Sequence, residues 1–180
     1  MEVFFLYNFN SKMIVLSGIF IALIIIFTHV LAIQTLFLRI SFGFLPLAVY
    51  ASICGPLYGA FIGALADILG CLIFSPGFYF PGFTISTALS GYIYGYYFHD
   101  KPVSLKRICI VFIFLFCSVD MLLNTFWLSL LYHKAATAFL LSRFIKNIIF
   151  LPINIIVFSV VYKTIQKYLQ KNFVILNKKS

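Results

Sequence analysis

The fold of this chain is decided by one stretch near its middle, Phe74-Ser75-Pro76-Gly77-Phe78-Tyr79-Phe80-Pro81-Gly82-Phe83-Thr84. It contains two Pro-Gly pairs, and because proline and glycine both disfavour a helix interior, no helix is expected to run through it. The stretch is also rich in Phe and Tyr, whereas an ordinary surface loop is polar. It therefore predicts a stiff aromatic loop between two membrane helices. Such a loop either forms a lid or wall over a cavity or rests in the bilayer interface.

The composition of the chain is that of an integral membrane protein. Of its 180 residues, 63% are apolar and only 9% are charged. Its mean hydropathy is +1.10. These values lie far outside the range of soluble domains. The length fits a single unit with about six spans of about 20 residues each.

The apolar segments and their interruptions predict one all-α membrane domain over residues 1–180. Its six helices are expected over about residues 13–33, 42–57, 58–74, 83–98, 107–131 and 137–162, followed by a basic cytoplasmic tail over 163–180. Glycine and proline make the second helix short or kinked. The first apolar segment is too long for the hydrophobic part of a signal peptide, so it is interpreted as the first membrane helix.

The basic residues predict the orientation of the domain. Lys12, the loop over residues 99–107 and the tail over 163–180 all fall on one side of a six-span arrangement. The other side carries only Arg39 and Lys134. Because cytoplasmic loops carry the excess of lysine and arginine, both termini are expected in the cytoplasm. The aromatic loop then faces outward.

Small residues recur at four-residue spacing on three of the predicted helices. This spacing places them on one helix face, where they let another helix backbone approach closely. The three sets are Gly18 and Ala22 on helix 1, Gly59 and Gly63 with Asp67 on helix 3, and Thr87, Gly91 and Gly95 on helix 4.

Charged residues inside the predicted spans are the strongest indication of a site. Each costs about 2.5–3.5 kcal/mol at a helix centre. They are therefore expected either to form a buried ion-pair network or to line a wet cavity. These residues are Asp67, Asp120, Arg143 and Lys146.

The spacing of the polar residues indicates a ligand. Asp120, Asn124 and Trp127 are related by i, i+4 and i+7, which puts them on one stripe of helix 5, and Arg143 and Asn147 share a face of helix 6. At about 1.5 Å per residue, both sets lie in the outer half of the membrane. They suit a flat heteroaromatic ligand with anionic groups. Aromatic rings would stack on it, amides and carboxylates would contact its edge, and cationic side chains would hold its carboxylates.

Five short motifs follow one another along the chain. They are Arg39-Ile-Ser-Phe-Gly-Phe-Leu-Pro46, Gly63-Ala-Leu-Ala-Asp-Ile-Leu-Gly70, Phe80-Pro-Gly-Phe-Thr84, Asn124-Thr-Phe-Trp127 and Arg143-Phe-Ile-Lys-Asn147. Together they resemble the folate-specific S components of the energy-coupling factor (ECF) class of ABC vitamin importers. The resemblance covers about residues 13–160.

The resemblance implies a six-helix fold with cytoplasmic termini in the bacterial cell membrane, and a vitamin pocket near the outer surface. It also implies that Gly18-xxx-Ala22 docks on a transmembrane scaffold subunit. ATP would be hydrolysed by two partner ATPases, in keeping with the absence of a G-x-x-x-x-G-K-[ST] motif from this sequence.

A folate ligand has a planar pterin with a donor-rich edge and a glutamate tail with two carboxylates. The edge is assigned to one of three polar side chains, Asp67, Asp120 or Asn124. The stacking rings are assigned to Trp127 with Phe80 or Phe83. The tail is assigned to Arg39, with Lys134 or Arg143 helping. The motif containing Pro81, Gly82 and Thr84 completes the expected ligand-binding set.

Other classes of function fit the sequence less well. The chain could be an S component for another vitamin or pterin, or a membrane scaffold without transport activity. A scaffold would explain the packing stripes but not the polar stripe beneath an aromatic external loop. An enzyme is disfavoured because the chain has no Ser/His nucleophile pair, H-E-x-x-H motif or close carboxylate dyad. The cysteines lie in apolar segments without C-x-x-C spacing, so free thiols and no metal or cofactor are expected. Nucleic-acid binding is disfavoured because topology accounts for the basic residues.

Overall fold

The computed structural model describes residues 11–34, 39–74, 79–101, 103–132 and 144–164. Within these ranges the chain forms the predicted set of six helices. They are α1 Ser11–Val30, α2 Phe44–Cys54, α3 Pro56–Phe74, α4 Pro81–Phe98, α5 Leu105–Leu131 and α6 Phe144–Thr164. Two antiparallel strands of two residues each, β1 Ile33–Gln34 and β2 Arg39–Ile40, lie between α1 and α2, and the predicted all-α class with six helices is confirmed.

Four of these helices, α1, α3, α5 and α6, are long and apolar enough to cross a membrane. The helix α2 has only 11 residues, or about 16 Å, because Gly43 precedes it and Gly55 ends it. The helix α4 has 18 residues but carries glycines, hydroxyl side chains and tyrosines among its apolar ones. The expectation that the second helix is short is confirmed.

Proline sets the start of two helices two residues earlier than predicted. Gly55 has a φ of +96°, a left-handed value that glycine adopts freely, and Pro56 then begins α3. Phe80 is extended, and Pro81 occupies the first helical turn of α4. Because proline lacks only an N–H that is unpaired there anyway, it is well suited to this position. The prediction that Pro81 and Gly82 belong to the external loop is therefore wrong.

The helices α3 and α4 pack with their backbones in contact. A Cβ added to Gly59 would lie 2.6 Å from the carbonyl oxygen of Gly91, and one added to Gly91 would collide with the carbonyl of Gly59. A Cβ on Gly63 would lie 3.0 Å from the carbonyl oxygen of Thr87. The two small-residue stripes predicted on helices 3 and 4 thus face each other.

The helix α5 is not α-helical throughout. A π-helical segment, Phe116–Leu123, interrupts it and contains Asp120. The Ser118 hydroxyl donates to the carbonyl of Phe114 at 2.7 Å, and such bonds compete with the backbone ladder. The uniform α-helical spacing assumed between Asp120 and Trp127 is therefore wrong over this segment.

The helix α6 is described from Phe144 to Thr164 and continues through Pro152. Its predicted start, near residue 137, lies outside the described residues. Near its C-terminal end, the face of α6 that contacts the other helices packs into an aromatic core. Phe158 is fully buried, stacks on Phe98 at 5.1 Å and lies 5.5 Å from Phe112. These rings hold α4, α5 and α6 together at the end opposite the aromatic loop.

Candidate functional site

Three aromatic side chains converge where α4 begins, and we call Phe80, Phe83 and Trp127 the aromatic wall. The centroid of the Phe80 ring lies 5.8 Å from that of Trp127 and 5.9 Å from that of Phe83. These distances are those of tilted and edge-to-face pairs, which are favourable contacts between rings. The structure therefore brings together the residues that the sequence assigned to stacking.

Trp127 is held against α4 by two features of that helix. Its indole Nε1–H donates to the Ser86 hydroxyl at 3.2 Å. Gly82 provides the space for the ring, because a Cβ there would lie 2.8 Å from Cγ of Trp127. With the N–H engaged, the indole offers a ligand its ring face and its remaining edge.

Asp67 is bound to the opposite side of α4. The Thr84 hydroxyl donates to Oδ2 of Asp67 at 2.7 Å. The Tyr79 hydroxyl lies 2.9 Å from Oγ1 of Thr84. Because Thr84 has a single hydroxyl proton and gives it to Asp67, Tyr79 is the donor in that contact. Asp67 thus receives a hydrogen bond from another side chain of the protein.

A cavity of about 220 Å³ lies among α2, α4, α5 and α6. Its described walls include the aromatic rings of Phe44, Phe112, Phe116 and Phe150. They also include six polar side chains, Ser41, Tyr94, Asp120, Lys146, Asn147 and Asn154. The charged residues inside the spans were expected either to form an ion-pair network or to line a cavity, and Asp120 and Lys146 both line this one.

The cavity can accept a flat polar ring. Sites that enclose drug-sized ligands have volumes of about 300–1,000 Å³, so this space suits one ring system better than a long ligand. Asp120 can accept hydrogen bonds, Lys146 can donate them, and Asn147 and Asn154 can do both. The π-helical segment supports a functional role, since such segments occur frequently at functional sites.

The predicted site residues fall into separate groups. Asp120 lines the cavity, and Asn124 donates to its Oδ1 at 3.2 Å, whereas Trp127 belongs to the aromatic wall. Asp67 and Thr84 form a pair of their own. Pro81 is exposed at the start of α4. Arg39 lies in β2, and its side chain is outside the described part of the chain, as are Lys134 and Arg143.

Sequence reasoning missed several polar residues of this region. Ser86 was not singled out, although it bonds Trp127. Asn154 was not singled out either, although it lies seven positions after Asn147, which is predicted to share a face with Arg143, and this spacing puts both amides on one side of α6. That polar stripe in an otherwise apolar helix was a usable signal. Nothing comparable distinguished Ser41, which reaches the cavity from the segment before α2.

Comparison with known proteins identifies the family. The model of the ECF transporter substrate-specific component matches residues 12–162. The folate transporter FolT of Clostridium novyi (strain NT) is 40% identical over 147 residues, covering 82% of this chain and 86% of that protein. The FolT of Leuconostoc mesenteroides is 33% identical over 153 residues, covering 81% of this chain and 82% of that protein.

A solved structure agrees with this assignment. The crystal structure of FolT bound with folic acid has a TM-score of 0.82 and 34% sequence identity to this chain. The match covers 86% of this chain and 95% of the solved one. The predicted resemblance and the membrane location are confirmed, and the chain belongs to the membrane-embedded substrate-specific components of ECF transporters.

Proposed function

We propose that this chain captures folate outside the cell and delivers it to a transmembrane scaffold subunit powered by two partner ATPases. The observation that carries the proposal is the match over 95% of a FolT structure that holds folic acid. The polar and aromatic cavity supports it independently, because its groups suit a pterin. In this role the chain binds and releases its ligand without chemical change.

The geometry favours an arrangement in which the pterin enters the cavity and its edge contacts Asp120 and Asn124. Asp120 lies on the cavity wall, and its contact with Asn124 at 3.2 Å links carboxylate and amide. The aromatic wall lies toward the C-terminal end of α5, the end that the predicted orientation of the basic residues assigns to the outer surface. We assign the aromatic wall to stacking on the face of the pterin, which then extends along α5 from the cavity to the wall. We assign the glutamate tail, as expected from the sequence, to Arg39 with Lys134 or Arg143 helping.

Replacing Trp127 or Asn124 by alanine is expected to weaken binding of both folate and a tail-less pterin. The loss of a stacked ring should cost about 0.5–1.5 kcal/mol beyond the lost area. A buried edge partner left without its hydrogen bond should cost about 1–3 kcal/mol. Isothermal titration of purified protein with each ligand measures both losses. Unchanged affinities would remove these residues from the site.

Arg39→Ala is expected to weaken folate binding far more than pterin binding, because only folate carries the carboxylates that a guanidinium holds. The same titration, with folate and a tail-less pterin in parallel, gives the two affinities. Equal losses for both ligands would show that Arg39 does not contact the tail.

The alternative is an S component that takes another vitamin or a simpler pterin. Mass spectrometry of ligand that copurifies with the protein distinguishes the two. Wild-type protein that binds neither folate nor pterin would overturn the proposal.

A further inference from the structure

We infer that the first two turns of α4 couple α3 to α5, so that Thr84 and Ser86 act as positioning residues for the aromatic wall. Thr84 bonds Asp67 of α3, and Ser86 bonds Trp127 of α5. One short helical segment therefore carries a polar contact to each of two neighbouring helices.

Helix geometry explains why one segment reaches both neighbours. Gly82 and Ser86 are four positions apart and share a face of α4. Thr84 lies two positions on from Gly82, which rotates it by about 200° to the opposite face. The face with Gly82 and Ser86 receives the indole of Trp127, while the face with Thr84 meets Asp67.

Both contacts are shielded, so each constrains the helix. Thr84 is 8% exposed and Ser86 is 3% exposed. The Thr84 bond has a carboxylate as its acceptor, and bonds to ionised groups are stronger than those between neutral groups. The indole fits closely because Gly82 has no side chain. A small shift of α4 against α3 would therefore move the place where Trp127 rests.

Asp67 then has a role different from that of Asp120. It acts through Thr84 on the position of Gly82, Ser86 and Trp127, whereas Asp120 lines the cavity. The expected effect on folate affinity rests on the proposed function. The coupling of α3, α4 and α5 does not rest on it, because that coupling can be measured in protein without ligand.

Trp127 makes that measurement possible, because it is the sole tryptophan of the chain. In the full-length protein in lipid nanodiscs, Thr84→Val removes the hydroxyl and nearly preserves the shape of the side chain. We expect it to shift the fluorescence emission of Trp127 and to raise its quenching by acrylamide, although the hydroxyl of Thr84 bonds Asp67 and Tyr79 while the indole bonds Ser86 on the other face of α4. Ser86→Ala should shift the emission more, and Thr84→Ser should restore the wild-type spectrum.

Thr87→Val is the matched control. Its hydroxyl donates to the carbonyl of Phe83 within α4 at 3.0 Å, so its loss should leave the emission of Trp127 unchanged. Folate affinity should fall about tenfold in Thr84→Val, equivalent to about 1.4 kcal/mol, and stay within twofold in the control.

If the Trp127 emission spectrum of Thr84→Val is the same as that of Thr87→Val, the inferred coupling is wrong. If Thr84→Val does not accumulate, Asp67→Asn tests the same bond in a side chain of equal size. A shift of the Trp127 emission in Asp67→Asn that has the same direction as in Ser86→Ala but is smaller supports the coupling. An unchanged emission in Asp67→Asn refutes it. Failure of the wild-type protein to bind folate would contradict the proposed function alone, since the emission test needs no ligand.

Discussion

Gly91→Val should prevent α3 and α4 from packing and leave little folded protein. A Cβ at Gly91 would lie 2.6 Å from the carbonyl carbon of Gly59 and 3.1 Å from the nitrogen of Ala60. These atoms belong to the backbone, so they cannot move aside as the end of a flexible side chain could. Overpacking of this kind costs about 1–3 kcal/mol or more, and the two further methyl groups of valine add to it. Size-exclusion chromatography and thermal unfolding of the purified protein measure the loss.

Gly18→Ala provides the matched control for this prediction. Nothing in the described structure lies within 4 Å of a Cβ added at Gly18. Its replacement should therefore leave the thermal stability unchanged or raise it slightly, because alanine favours a helix over glycine. If Gly91→Val unfolds at the same temperature as Gly18→Ala, the close approach of α3 and α4 is not needed for stability.

Gly18→Trp is expected to abolish folate uptake while leaving folate binding intact. Gly18 and Ala22 lie on an exposed face of α1 beside Ile14, which is 55% exposed. Small residues at this spacing let another helix approach closely, and a large ring would hold it away. We propose that this face docks on the scaffold subunit. Uptake by cells that carry the complete transporter, and folate titration of the purified chain, give the two quantities.

The control for Gly18→Trp is a tryptophan on another exposed helix face. Ile110 of α5 is 62% exposed, and Ile110→Trp should leave both uptake and binding near wild type. Normal uptake by Gly18→Trp would refute the docking role. A parallel loss of uptake and binding would indicate that Gly18 supports the fold of this chain instead.

The aromatic wall and the cavity are two separate parts of the candidate site. The sequence stripe suggested that Asp120 and Trp127 act on the same part of a ligand. In the structure Asp120 faces the cavity with Lys146, whereas Trp127 rests on α4 against Gly82 and Ser86. The π-helical segment Phe116–Leu123 contains Asp120 and ends four residues before Trp127, so it alters the helical phase between the two side chains. A ligand that contacts both must extend along α5.

Local composition and spacing were enough to predict the membrane class, the number of helices and the small-residue stripes. Each depends on residues close together in the chain, as do the break between α3 and α4, which falls between Phe74 and Pro81, and the four-residue spacing of Gly59 and Gly63. The orientation of the termini stays a prediction from the same kind of signal.

Tertiary structure alone decided which of these features meet. The hydrogen bond between Trp127 and Ser86 joins residues 41 positions apart, and the bond between Thr84 and Asp67 joins residues 17 positions apart. The cavity needs side chains from α2, α4, α5 and α6 at once. Such contacts depend on how helices approach and rotate against each other, which is set by packing across the whole bundle. The hydrophobic periodicity of a single helix does not determine that packing.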